Sequence, residues 1–109
     1  MRPSMEVRER RDGERVTLVV SGEIDIESSP RLREAIRRGL GNSSVLAIDL
    51  RDVPYIDSSG IATLIQGYKH ALRDGVEFRL VEPSSQVMAV IELSHLHTFF
   101  TVERSEGGG

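Results

Sequence analysis

Residues 44–69, "SVLAIDLRDVPYIDSSGIATLIQGYK", pass from one periodicity to another across a single loop. Ser44 to Leu50 is too apolar for an edge strand and too short for a helix, which predicts a central, parallel strand covered by helices. From Ile61 the apolar residues Ile61, Leu64, Ile65, Tyr68 and Leu72 recur at three and four. That spacing predicts a helix starting near Ser58 and ending at Asp74-Gly75, where glycine can take the left-handed cap position. A parallel strand followed by a helix requires further strands on the same sheet, and the flanking sequence supplies them.

Upstream, "VTLVV" (Val16 to Val20) is a β-branched run bounded by turn residues, and "MEVRER" (Met5 to Arg10) alternates more weakly before Asp12-Gly13. Together they predict an antiparallel hairpin with the first strand at the exposed edge. "ESSPRLREAIRRGLG" then reads as a helix. Ser28 or Ser29 can cap it, Pro30 suits its first turn, Leu32, Ile36 and Leu40 form one stripe, and Gly39 or Gly41 ends it. Arg33, Arg37 and Arg38 share its other face with Glu34, a solvated arrangement of ion pairs. Downstream come a strand over Val76 to Val81, a helix over Ser84 to Leu96 and a short strand over Phe99 to Val102. The order is β-β-α-β-α-β-α-β. It predicts a single α/β domain over residues 5–103, with a mostly parallel sheet, right-handed crossovers and an antiparallel N-terminal edge strand. Residues 1–4 read as a disordered leader, with Met5 a second candidate start, and residues 104–109 as a flexible tail.

At 109 residues there is room for one modest core. The absence of cysteine excludes disulfides, thiolate metal sites and cysteine nucleophiles. With 14 basic and 17 acidic residues interspersed, a net charge of -3 and 5% aromatics, a nucleic-acid surface is not expected. "MRPSMEVRE" is charged where a secretory signal would be apolar, and no segment approaches the roughly 18 apolar residues of a membrane span. The expectation is a cytoplasmic protein without membrane insertion.

In a parallel sheet the loops leaving the strands' carboxyl ends gather on one edge, and here these are "SGEIDIESSP" and "RDVPYIDSSG". Ser58 opens a helix, where free N–H groups and the helix dipole favour an anion. Capping by Asp57 or Ser58 accounts for part of "DSSG"; Gly60 is left over, because glycine in a first turn costs about 1 kcal/mol relative to alanine. A hydrolase would need a base, and none of His70, His95 and His97 is placed near Ser58 by the sequence. Asp25, Asp49 and Asp57 are conceivable magnesium ligands at strand ends, but Asp49 lies within its strand, and no metal or cofactor is expected.

The segments "VSGEIDIESSPRLREAI", "VLAIDLRDVPYIDSSGIATLIQGYK" and "GVEFRLVEPSSQVMAVIELSHLHTFFTV" closely resemble the STAS domain family, specifically its stand-alone bacterial anti-sigma factor antagonists. The resemblance rests on Gly22-Glu23-Ile24-Asp25 and Asp57-Ser58-Ser59-Gly60 taken together, and it covers Met5 to about Glu103. It implies a binding protein with no catalytic residues. Its partner would be an anti-sigma factor that is also a serine kinase of the histidine-kinase-like ATPase type. Phosphorylation would fall on Ser58, with Ser59 second, and a serine phosphatase would reverse it. The interface would comprise Glu23, Asp25, Asp57, Ser58, Ser59, Gly60 and Ile61. In that reading Asp25 and Asp57 position the serine, Gly60 admits the partner to the backbone, and Ile61 supplies apolar contact. The alternative within the family is a non-switching subunit of a lipid-transport ABC complex or a stress-signalling scaffold. After "GEID" the first loop departs from the family pattern.

Overall fold

A computed structural model describes residues 4–105; residues 1–3 of the expected leader and 106–109 of the expected tail lie outside the described residues. The elements are β1 (Glu6–Asp12), β2 (Arg15–Ser21), α1 (Ser29–Leu40), β3 (Val45–Asp52), α2 (Ser58–Asp74), β4 (Glu77–Val81), α3 (Ser85–Leu93) and β5 (Thr101–Glu103). They form one sheet in the order β1-β2-β3-β4-β5, with β1 antiparallel to β2 and every other pair parallel. The single α/β domain, its mixed sheet and its element order are those expected.

The strand order decides where the helices lie. From β2 to β5 each crossover steps one strand in the same direction, so right-handed connections place all three helices on one face. The apolar pattern agrees: Val16, Leu18, Val20, Leu46, Ile48, Leu50, Phe78 and Leu80 are buried. They belong to one cluster with Leu32, Ile36, Leu64, Val87 and Ile91 of the helices. Alternate residues point the other way, to a face that no helix covers. There the Glu103 carboxylate accepts hydrogen bonds from Arg15 and from Arg79, each at 2.7 Å, and Arg79 also holds Glu77. The hydrogen bond from Arg15, with that from Arg79, holds the Glu103 carboxyl below the usual carboxylate range against the opposing effect of burial. Thr17 and Ala47, paired with each other on this face, are buried as well.

Local differences have local causes. The hairpin turn is Gly13-Glu14 rather than Asp12-Gly13: Gly13 has φ +64° and Asp12 pairs with Arg15, the two-residue turn that puts glycine first. Leu72 is 68% exposed, because the buried stripe of α2 runs through Gly60, Thr63, Leu64, Gly67 and Ala71 instead. The third helix stops at Leu93, short of the expected Leu96; His95 takes φ +59° and the Leu96 N–H returns to the Ile91 carbonyl at 2.9 Å. Phe99 and Phe100, expected in the last strand, precede it. Phe100 is buried, its ring 6.1 Å from that of Tyr68 and 6.4 Å from that of Phe78. Among the described residues no helix is long and apolar enough to cross a membrane.

Candidate functional site at the paired strand ends

The loops after β2 and β3 are joined by backbone hydrogen bonds. Gly22 N–H donates to the Asp52 carbonyl at 3.1 Å, Ile24 N–H to Tyr55 at 3.0 Å, and Asp57 N–H to Ile24 at 3.1 Å. Ile24 and Ile56 form a parallel bridge, and both are buried. Beyond the ends of β2 and β3 the two loops are thus held together by this isolated bridge, close to where each chain turns into its helix.

Both turns are made the same way. The Asp57 side chain accepts the N–H groups of Ser59 at 2.9 Å and Gly60 at 3.1 Å, while its carbonyl accepts Ile61 N–H at 3.0 Å. The Asp25 side chain accepts the N–H groups of Glu27 at 3.1 Å and Ser28 at 3.0 Å, and its carbonyl accepts Ser29 N–H at 2.8 Å. Each aspartate therefore caps the first turn that follows it. Ser28 occupies the N-cap position of α1 but does not cap with its hydroxyl; that oxygen accepts Asp25 N–H at 2.9 Å and donates to the Glu23 carbonyl at 3.0 Å, closing the loop on itself.

This geometry distributes the residues singled out by sequence. Ser58 is exposed at the first position of α2, and Ser59 is half-buried with its carbonyl accepting the Thr63 hydroxyl at 2.9 Å. Glu23, Asp25 and Asp57 are half-buried around them. Gly60 and Ile61 turn inward: a Cβ on Gly60 would lie 2.6 Å from Ile56 Cγ1 and 2.7 Å from Ile24 Cγ2, and Ile61 is 7% exposed. The extra glycine of "DSSG" is therefore needed so that α2 can sit on the bridged isoleucines. It does not open the backbone to a partner, and Ile61 is core rather than contact surface. The apolar side chains that do face solvent here are Ile26, 73% exposed, and Tyr55, 46% exposed, neither of which the sequence reading picked out. The signal was present in the spacing, since "DIES" and "DSSG" set the same N–H acceptor before the same turn.

The Asp57 carboxylate also occupies the two N–H groups that an anion at this helix start would use, so the anion position is already filled by the protein's own side chain. Asp49 lies apart, in β3, its side chain accepting Arg51 N–H at 3.0 Å. Among the described residues no group of three or more His, Asp and Glu is placed to hold a metal ion. His70 is twelve positions along α2 from Ser58, about 18 Å at 1.5 Å per residue, and His95 and His97 follow the far end of α3.

Replacing Asp57 by alanine strips the acceptor from two N–H groups. Unfolding free energy is expected to fall by about 1 kcal/mol in denaturant titrations, whereas Asp57→Asn, whose amide oxygen can still accept, should stay close to wild type. An equal loss in both variants would mean that charge, rather than cap geometry, is what stabilises the turn.

A STAS domain family model matches residues 3–108 of the chain. An anti-sigma-B factor antagonist of Listeria monocytogenes is 30% identical over 108 residues, covering 98% of this chain and 94% of the relative. Among solved structures, an anti-sigma factor antagonist from Mycobacterium paratuberculosis has the same fold with a TM-score of 0.85 at 24% identity, over 96% of this chain and 90% of that one. The Bacillus cell fate determinant SpoIIAA, solved in its phosphorylated form, has a TM-score of 0.71 at 18% identity, over 94% and 95% of the two chains.

Proposed function

The chain belongs to the STAS domain family, and we propose that it is a cytoplasmic anti-sigma factor antagonist switched by phosphorylation of Ser58. Unphosphorylated, it binds an anti-sigma factor that is also a serine kinase of the histidine-kinase-like ATPase type. The kinase moves the γ-phosphoryl group of ATP onto Ser58 Oγ, the hydroxyl proton is lost and ADP leaves. A serine phosphatase restores the hydroxyl. The protein catalyses neither step, and the nucleotide belongs to the kinase.

The observation that carries this reading is the exposure of Ser58 on the first turn of α2, where Ser59 is half-buried. The Ser58 hydroxyl stands clear at the first helical position, whereas the half-buried Ser59 sits one step behind it with its N–H held by Asp57 and its carbonyl by Thr63. Phosphate on Ser58 would add about -1.5 to -2 charge beside Asp57 without entering the core. The modification then alters the docking surface and leaves the fold in place.

The test mixes the protein with a purified anti-sigma kinase from the same genome and ATP, and locates phosphate by mass spectrometry. Phosphate is expected on wild type and Ser59→Ala, and none on Ser58→Ala. Phosphate persisting in Ser58→Ala would overturn the assignment, and no phosphate on any variant would favour a non-switching subunit.

A further inference from the structure

Ile26 stands in the first loop where Ser58 stands in the second. Each follows a capping aspartate whose side chain takes the N–H groups two and three residues on, and whose carbonyl takes the N–H four residues on. The bridge of Ile24 with Ile56 sets the register, so counting two residues on from each brings Ile26 alongside Ser58. Ile26 is one of the most exposed large apolar side chains among the described residues. Tyr55, also exposed, precedes Ile56 on the other loop.

We infer that Ile26 is the apolar anchor through which the anti-sigma kinase docks on this protein, with Tyr55 at its flank, an inference that rests on the function proposed above. A kinase that brings its nucleotide to Ser58 Oγ must also meet the loop bridged to it, and that loop presents an isoleucine held clear of its own core. Next to it, Glu23, Asp25, Glu27 and Arg31 line a polar hollow. The complementary site is therefore an apolar pocket next to the kinase's nucleotide. A side chain packed into a desolvated pocket and shielded from water by its surroundings is the arrangement in which a few residues carry most of an interface's affinity.

The experiment measures kinase affinity by calorimetry and steady-state phosphorylation for wild type, Ile26→Ala, Ile26→Glu and the control Leu93→Ala, exposed on α3 away from the paired loops. Ile26→Ala is expected to weaken binding about tenfold and Ile26→Glu about a hundredfold. KM for this protein should rise in parallel while kcat is kept and phosphate remains on Ser58; Leu93→Ala should behave as wild type. Thermal unfolding should not move, because Ile26 contributes little to the core. Unchanged binding by Ile26→Ala to a kinase that binds wild type overturns the inference alone. So does loss of a dimer of this chain in Ile26→Ala with kinase affinity intact, which would make the patch a contact between copies. Failure of the kinase to bind wild type overturns the proposed function, and this inference with it.

Discussion

Ser58→Glu is expected to bind the anti-sigma kinase ten to a hundred times more weakly than wild type, while Ser58→Ala and Ser58→Gln retain most of the affinity. Phosphoryl transfer requires Ser58 Oγ to face the γ-phosphate, so any negative group at this position is pressed toward the nucleotide's phosphates. Two like charges about 4 Å apart repel by about 4 kcal/mol at an effective dielectric of about 20. A metal on the nucleotide reduces this, and each 1.4 kcal/mol that survives is a factor of about ten. Glutamine has nearly the shape of glutamate without the charge; equal losses for the two would show that bulk rather than charge blocks docking. All three variants should unfold within about 1 kcal/mol of wild type, since the side chain is exposed. A Ser58→Glu protein that binds normally would remove the electrostatic basis of the switch.

Gly22→Ala is expected to be the more damaging change to the fold, lowering stability by about 3 kcal/mol or more and Tm by more than about 10 °C. Two effects combine. Gly22 has φ +87°, which costs an alanine on the order of 1 to 2 kcal/mol. Its Cβ would also fall 2.5 Å from the Ser4 carbonyl oxygen and 2.9 Å from Met5 Cα, backbone atoms that cannot rotate away. Relief requires the N-terminal segment to lift, and with it Met5, which immediately precedes β1 and is 2% exposed in the core. Gly13→Ala separates the two effects, because Gly13 has a similar φ of +64° with nothing within 4 Å of its Cβ position. If the two alanine variants melt alike, the crowding at Gly22 contributes nothing.

The consequence for function follows from where Gly22 sits. Its N–H donates to Asp52, the first of the hydrogen bonds that hold the two site loops together. A partly lifted N-terminus should therefore loosen the register between Ile26 and Ser58 as well as reduce stability.

Much of this arrangement could be read from the chain. "DSSG" names a cap, a serine at a helix start and a glycine, and the switch from an apolar run to three-and-four spacing places them between a strand and a helix. The purpose of the glycine was not legible, because Gly60 makes room for Ile24, which is 36 residues away in sequence and adjacent only through the bridge with Ile56. For the same reason Ile61 reads as a surface contact in sequence and is core in the fold. Ile26 is one of two isoleucines that alternate with acidic residues in "EIDIE"; that Ile24 is buried and Ile26 exposed appears only in the fold.

By itself the sequence determined the order of the elements, the hairpin, the cap before α2 and the family, because each is written in local pattern: periodicity, an aspartate before free N–H groups, a glycine in a turn. The tertiary structure alone decided that the strands run β1 to β5 without reversal, that all three helices therefore share one face, and that "DIES" and "DSSG" lie side by side. Strand order and inter-loop register are properties of distant segments meeting across the sheet. No local preference encodes them, and the surface that a partner would meet is made of them.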